Sequence, residues 1–206
     1  MGKIKLIVAV VLVATLLAGI FYSPLEFVAG QSAARTESTV SSGRSQDAQE
    51  MLRAQPGRKL TIFLQAKDPL ASALGRELQK DLAQGGMFGE VLLRPEPGVS
   101  ATSDVLRVDV DSVDVFWSGV YAQAQVTAVA SFSTLGDVSW YAQQPPEFRF
   151  YGTDPTIMIS GSYTVRDSTG GLVSRNGYSV HLARSLAYQI SRSLTSELSG
   201  QVQPAT

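Results

Sequence analysis

Residues 7–21, IVAVVLVATLLAGIF, contain no charged side chain, and from Ile4 to Tyr22 an apolar run of about nineteen residues is broken only by Lys5. A helix rises about 1.5 Å per residue, and about 20 apolar residues cross the hydrocarbon core of a bilayer. Such a run does not stay in water, so it fixes the address of everything that follows it. Lys3 and Lys5 precede it and no lysine follows until Lys59, which places the N-terminus on the cytoplasmic side. The remainder is then expected outside the cytoplasm. Two readings of the run stay open. As a retained anchor it makes a single-pass protein of the inner membrane with a periplasmic C-terminal domain. As a cleaved signal it leaves a periplasmic or secreted protein, with Val28-Ala29-Gly30 before the cut and Gln31 as the new start. The length of the run and the intervening Pro24 and Glu26 favour the anchor.

Residues 1–30 are accordingly read as the anchor or signal segment. From residue 31 to 57 the composition shifts to Ser, Thr, Gln, Ala and Gly, and only Val40, Met51 and Leu52 could pack. A segment so poor in apolar side chains reads as a flexible polar linker giving reach from the bilayer. Residues 58–200 form the extracytoplasmic domain, and 201–206 a polar tail. That domain is long enough to bury its own core. Net charge is -1 and the sequence pI about 5.8, so there is no electrostatic footprint for nucleic acid. With no cysteine in the chain, disulfides, thiolate ligands, a cysteine nucleophile and a lipobox are excluded.

Within the domain, Lys59–Ala66 reads as a strand, and Asp68-Pro69 as a helix start with a capping carboxylate and a proline where no amide is needed. Leu70, Leu74, Leu78 and Leu82 make one stripe, and Gly85-Gly86 stops the helix. Phe88 and Val91–Leu93 follow as a second strand. Asp104–Trp117 alternates with a phase slip, which predicts a bulge near Ser112. Ser118-Gly119 predicts a tight turn. Val120, Ala122, Ala124, Val126, Ala128, Ala130 and Phe132 then line one face of a long partner strand, opposite Tyr121, Gln123, Gln125 and Thr127. Thr156–Arg166 reads as a strand, Asp167–Gly171 as a turn and Leu172-Val173 as the start of a return strand. A last helix is expected from Val180 to Leu198, striped by Leu182, Leu186, Ile190, Leu194 and Leu198. These elements predict an α+β fold, a two-layer sandwich with a mostly antiparallel sheet and two packed helices, preceded by one N-terminal transmembrane or signal helix.

Little in the domain reads as chemistry. A serine triad would need His181, the sole histidine, beside a serine and a carboxylate, and no G-x-S-x-G elbow is present. Asp104, Asp109, Asp111 and Asp114 alternate with Val and Leu on a strand rather than on a calcium loop, so they read as solvated acids. No catalytic residue, metal site or cofactor is expected. The aromatic side chains stand out instead. Trp117, Tyr121, Trp140, Tyr141, Phe148 and Tyr151 fall within 35 residues and are the candidate partner-binding surface, because such rings bury large area at low entropic cost.

The Asp68-Pro69 helix, the stretch GSYTVRDSTGGLV and the closing SLAYQISRSLTSEL give the region from Lys59 to Leu198 a resemblance to the lipopolysaccharide-assembly lipoproteins and the ABC-transport auxiliary lipoproteins. In those families a Y-x-V-x-D-x-x-G hairpin precedes a C-terminal helix, and Tyr163, Val165, Asp167 and Gly170 occupy those places here. The chain departs from both families in lacking the lipobox cysteine. The resemblance implies a non-catalytic accessory whose partners are envelope transport or assembly proteins. Carriage of a lipid or other apolar ligand between sheet and helices is the alternative.

Overall fold

A computed structural model describes residues 2–22, 28–45, 47–48, 57–65, 67–95, 104–136 and 156–199. Its elements run α1 (Gly2–Tyr22), β1 (Gln31–Ser32), β2 (Arg35–Arg44), β3 (Arg58–Phe63), α2 (Pro69–Gln84), β4 (Phe88–Arg94), β5 (Asp104–Trp117), β6 (Tyr121–Ser133), β7 (Ile157–Gly170) and α3 (Arg175–Ser199). The fold is α+β, as the pattern predicts. Among the described residues no helix is long and apolar enough to cross a membrane. Side chains of α1 are described for Lys5–Thr15 and Gly19, and Leu6 to Val13 lie exposed.

One mixed sheet has the order β1-β7-β6-β5-β3-β4, with β2 continuing β1 along the same edge of β7. The pairs β5–β6, β6–β7, β1–β7 and β2–β7 are antiparallel, whereas β3 is parallel to both β4 and β5. The parallel β3–β4 pair follows from the intervening α2, since parallel strands require a crossover. That helix starts as its sequence dictates: the Asp68 carboxylate accepts from the Ala71 amide at 2.8 Å, and Pro69 is the first helical residue. Asp68→Ala is expected to cost about 1 kcal/mol of stability in urea unfolding, the usual value of an N-cap.

Leu74, Leu78 and Leu82 from α2 and Leu182, Leu186, Ile190 and Leu194 from α3 join the even-numbered face of β6 and the odd-numbered face of β7 in one apolar cluster. Phe132, Tyr163 and Tyr178 are its largest fully buried rings. Phe63 and Val105 form a separate small cluster. The bulge is where the phase slip puts it, between Val110 and Ser112. At the following turn Gly119 has φ +82°, a conformation that glycine takes without strain.

Three expectations are corrected. Residues 31–32 and 35–44, read as linker, are edge strands: Arg35 to Arg44 pair with Arg166 to Ile157. An edge strand is ordered by backbone hydrogen bonds, so it needs few apolar side chains; on β2 Val40 alone packs against the core and most other residues are exposed. Ser42 donates to Glu197 at 2.6 Å and Thr156 donates its amide to the Ser45 hydroxyl at 2.8 Å, fastening the far end. Secondly, the stretch from Asp167 to Gly170 is not a turn. It completes β7, so Tyr163, Val165, Asp167 and Thr169 share its buried face, and Val173 makes only an isolated bridge to Val28. Thirdly, the last helix begins five residues early, at Arg175. The amide of Gly177 bonds the Ser174 hydroxyl at 3.0 Å and extends the helix upstream of its apolar stripe.

Candidate functional site

Beside β1 the fold gathers the residues a hydrolase would need. Ser32 donates its hydroxyl to an oxygen of Asp167, and the same hydroxyl lies 3.0 Å from His181 Nε2. That Nε2 is also 3.3 Å from Asp167 Oδ1. The Asp167 side chain is fully buried, receives a second hydrogen bond from Thr169 Oγ1 at 2.6 Å, and sits under Tyr178, whose ring stacks on that of His181. Burial pushes the Asp167 pKa up, but the hydrogen bonds from Ser32, Thr169, Tyr178 and His181 outweigh it and leave the carboxylate below its ordinary value. Burial, joined by the neighbouring Asp167, drives the Tyr178 hydroxyl strongly upward.

The wiring is not that of a nucleophile. In a serine triad the base takes the serine proton on one ring nitrogen and is oriented by the carboxylate on the other. Here serine and carboxylate meet the same nitrogen, and the serine proton goes directly to Asp167. The cluster fastens β1 to β7 and α3. A close backbone approach completes the clasp. A Cβ on Gly30 would meet the Gly170 carbonyl oxygen at 2.0 Å, so only glycine fits. The Ala29 amide bonds the Leu172 carbonyl at 2.8 Å, and the Ala33 amide bonds that of Ser168 at 3.0 Å. Sequence reasoning named His181 but missed Ser32, because the residues from 31 onward read as linker.

The four strand acids do not act together. Asp104 is buried against Arg58, while Asp109, Asp111 and Asp114 are exposed on the outer half of β5. No acid and histidine grouping among the described residues could hold a metal.

Of the aromatic candidates, the structure describes Trp117 and Tyr121. Trp140, Tyr141, Phe148 and Tyr151 lie outside the described residues. Trp117 is half-buried and donates Nε1 to the Val173 carbonyl at 2.9 Å, so it holds the β5–β6 turn against the β7–α3 connection. Tyr121 is more open, with its ring centroid 6.3 Å from that of Phe116. Around them are exposed apolar side chains: Val113 (46% exposed), Val115 (42%), Phe116 (60%), Leu172 (50%) and Val120 (61%), the last expected on the apolar face of β6 but lying in the turn before it. The cause is a mismatch of strand lengths. β5 has 14 residues and β3 only 6, and β3 pairs with Asp104–Arg107 alone. From Val108 onward β5 has β6 on one side and, among the described residues, no strand on the other. The outer half of β5, with the turn to β6, is therefore an edge arm of the sheet among the described residues, while β6 stays paired with β7 along its whole length.

On one face of this arm lies a cleft of about 370 Å³, lined mainly by Arg35, Asp114, Phe116, Gln123, Gln125 and Arg166. Arg35, Arg166, Gln125 and Asp114 stand in one row across β2, β7, β6 and β5. This lining suits polar contacts rather than an apolar ligand.

The sequence matches no protein-family model and no curated protein. Among solved structures it is similar to the PelC dodecamer from Paraburkholderia phytofirmans, at 15% identity and TM-score 0.43, over 82% of this chain and 100% of that one. A point variant of the same dodecamer, in a second crystal form, is similar at 14% identity and TM-score 0.37, over 73% and 95% of the two chains.

Proposed function

We propose that this chain is a membrane-tethered, extracytoplasmic accessory or scaffold module of a cell-envelope transport or assembly complex, working by contact and not by catalysis. The observation that carries this reading is the β5–β6 arm, where Val113, Val115, Phe116, Val120 and Tyr121 stand in water. Soluble domains seldom keep contiguous apolar side chains exposed unless a partner covers them. The Ser32–Asp167–His181 wiring supports a non-catalytic role, since its serine proton is committed to the carboxylate. The two-layer sandwich then serves as a rigid platform behind the arm, and the resemblance to the envelope lipoproteins belongs to the same reading.

The sequence of α1 as a whole supports the address. Its 21 residues rise about 31 Å, close to the roughly 30 Å thickness of a bilayer core. Residues 23–27 separate it from Val28 and span at most about 20 Å fully extended. The domain is thus held beside the bilayer surface, without the long reach a linker would give. Val28 and Ala29 bond to Val173 and Leu172, so cutting after Gly30 would remove part of the folded ladder, which favours the retained anchor.

The test is recovery of the full-length protein from detergent-solubilised native membranes, with mass spectrometry of proteins and lipids together. Envelope transport or assembly subunits are expected at near-stoichiometric levels. Phe116→Ala combined with Tyr121→Ala is expected to reduce their recovery by about tenfold, while the melting temperature stays within a few degrees, because both side chains are exposed. Unchanged recovery would remove the arm as the contact surface. Lipid recovered without protein would favour the carrier.

A further inference from the structure

We infer that the free edge of β5 takes up an extended segment of a partner protein as an added antiparallel or parallel strand, and that this segment is apolar and basic by turns. The inference deepens the proposed function and rests on reading the arm as its contact surface.

The receiving edge runs from Val108 to Trp117, opposite the side paired with β6. A strand in this position presents backbone amides and carbonyls at alternate residues, which is what strand addition requires. Among the described residues no strand pairs with this edge, and its middle is exposed. Every residue from Asp111 to Phe116 is exposed, although Ser112 to Phe116 are paired to β6 through their other side and Asp111 is the bulged residue between Val110 and Ser112. The site also has an end-stop. Arg107 is already opposite Phe63 of β3, so an incoming strand fits between that point and the turn at Ser118-Gly119.

Two features describe the guest. Val113 and Val115 share one face of the strand and are 46% and 42% exposed, so alternate guest side chains on that face would be apolar. Asp109, Asp111 and Asp114 are exposed on the same stretch, which carries no basic residue between Val108 and Trp117. Only Asp109 has a partner among the described residues, Arg107 at 2.7 Å. Lysine or arginine on the guest would therefore be favoured, and acids rejected.

Edge acids and bulges are also devices against unwanted pairing. Here they exclude one guest in particular, a second copy of β5, because the three acids would face their own kind. A basic segment of a different chain meets no such repulsion.

The experiment uses the full-length protein in detergent and three end-capped, fluorescently labelled decapeptides. One alternates valine with lysine, one alternates valine with glutamate, and one is the valine–lysine peptide N-methylated at alternate residues. N-methylation keeps the charge but removes the main-chain donors. The valine–lysine peptide is expected to bind at least about tenfold more tightly than either of the others. Asp111→Lys with Asp114→Lys is expected to reverse the preference between lysine and glutamate, a readout that a misfolded variant would not give. Equal binding of the N-methylated peptide overturns strand addition. No preference for lysine overturns the charge assignment, and a protein already self-associated through this edge overturns the partner. Failure here with envelope subunits still recovered from membranes would sink this inference alone. Peptide binding without recovered subunits would sink the accessory role and leave the edge site standing.

Discussion

Arg58→Met is expected to destabilise the domain by about 3 to 5 kcal/mol near pH 8 and by clearly less near pH 5. Arg58 and Asp104 form a tight ion pair where β3 meets β5, with side chains only 14% and 1% exposed. Methionine fills similar space but leaves the carboxylate buried without its counter-charge. Burial pushes the Asp104 pKa up, Arg58 pulls it back, and it stands at about 6, above the ordinary 3.8. The folded state therefore binds this proton more tightly than the unfolded chain does. Its effect favours folding progressively as pH falls from above 6 towards 3.8, by up to about 3 kcal/mol. Near pH 5 the acid is largely neutral even with Arg58 present, so removing the arginine costs less. Urea unfolding at the two pH values measures the difference. Equal losses at both would mean that the pair contributes through packing and not through charge.

Asp167→Ala is expected to cost about 3 kcal/mol near pH 7 and, beyond that, to free the start of the domain. Hydrogen bonds to a charged acceptor contribute about 1.5 to 3 kcal/mol each, and Asp167 accepts them from Ser32 and Thr169 while facing His181. The local consequence is read by hydrogen exchange. The Ala29 and Ala33 amides, which bond Leu172 and Ser168, are expected to lose protection more than the amides of β6 do. Uniform loss would show that the cluster supports the whole fold and not the N-terminal clasp in particular. The pH dependence has the opposite sign to that of Asp104. A carboxylate held below 3.8 contributes its stability above that value and loses it as pH falls through the folded pKa. Taken together, these two groups favour folding most near pH 4.

The free arm and the clasp lie at the same end of the sheet, next to the point where the chain enters from α1. Gly171 and Val173 donate their amides to the Val120 and Gly119 carbonyls at 2.9 Å each, so the turn of the arm is tied to the connection that also holds Val28 and Ala29. Loss of the clasp is therefore expected to reach the arm through the backbone.

What the sequence determined by itself was whatever depends on near neighbours. Asp68-Pro69 and the leucines at four-residue spacing set α2, because capping and helical periodicity act within a turn or two. Alternation from Ala122 to Phe132 set β6 and its buried face. The change of parity before Val113 located the bulge, since side-chain period alone decides which face a strand buries. Tertiary structure decided the rest. β2 is ordered by backbone bonds to a strand more than about a hundred residues away, and its exposed side chains carry no trace of that pairing. Asp167 and the residues after it look like a turn until β1 and β6 bond to both sides of them. Ser32, Asp167 and His181 come from β1, β7 and α3, so no spacing announces their meeting. Among the described residues the outer half of β5 has an open edge because β3 ends after six residues, beside the fourth residue of a strand of fourteen. A strand's own sequence states what its side chains prefer, but only the neighbouring strands determine which of its backbone groups are left without partners.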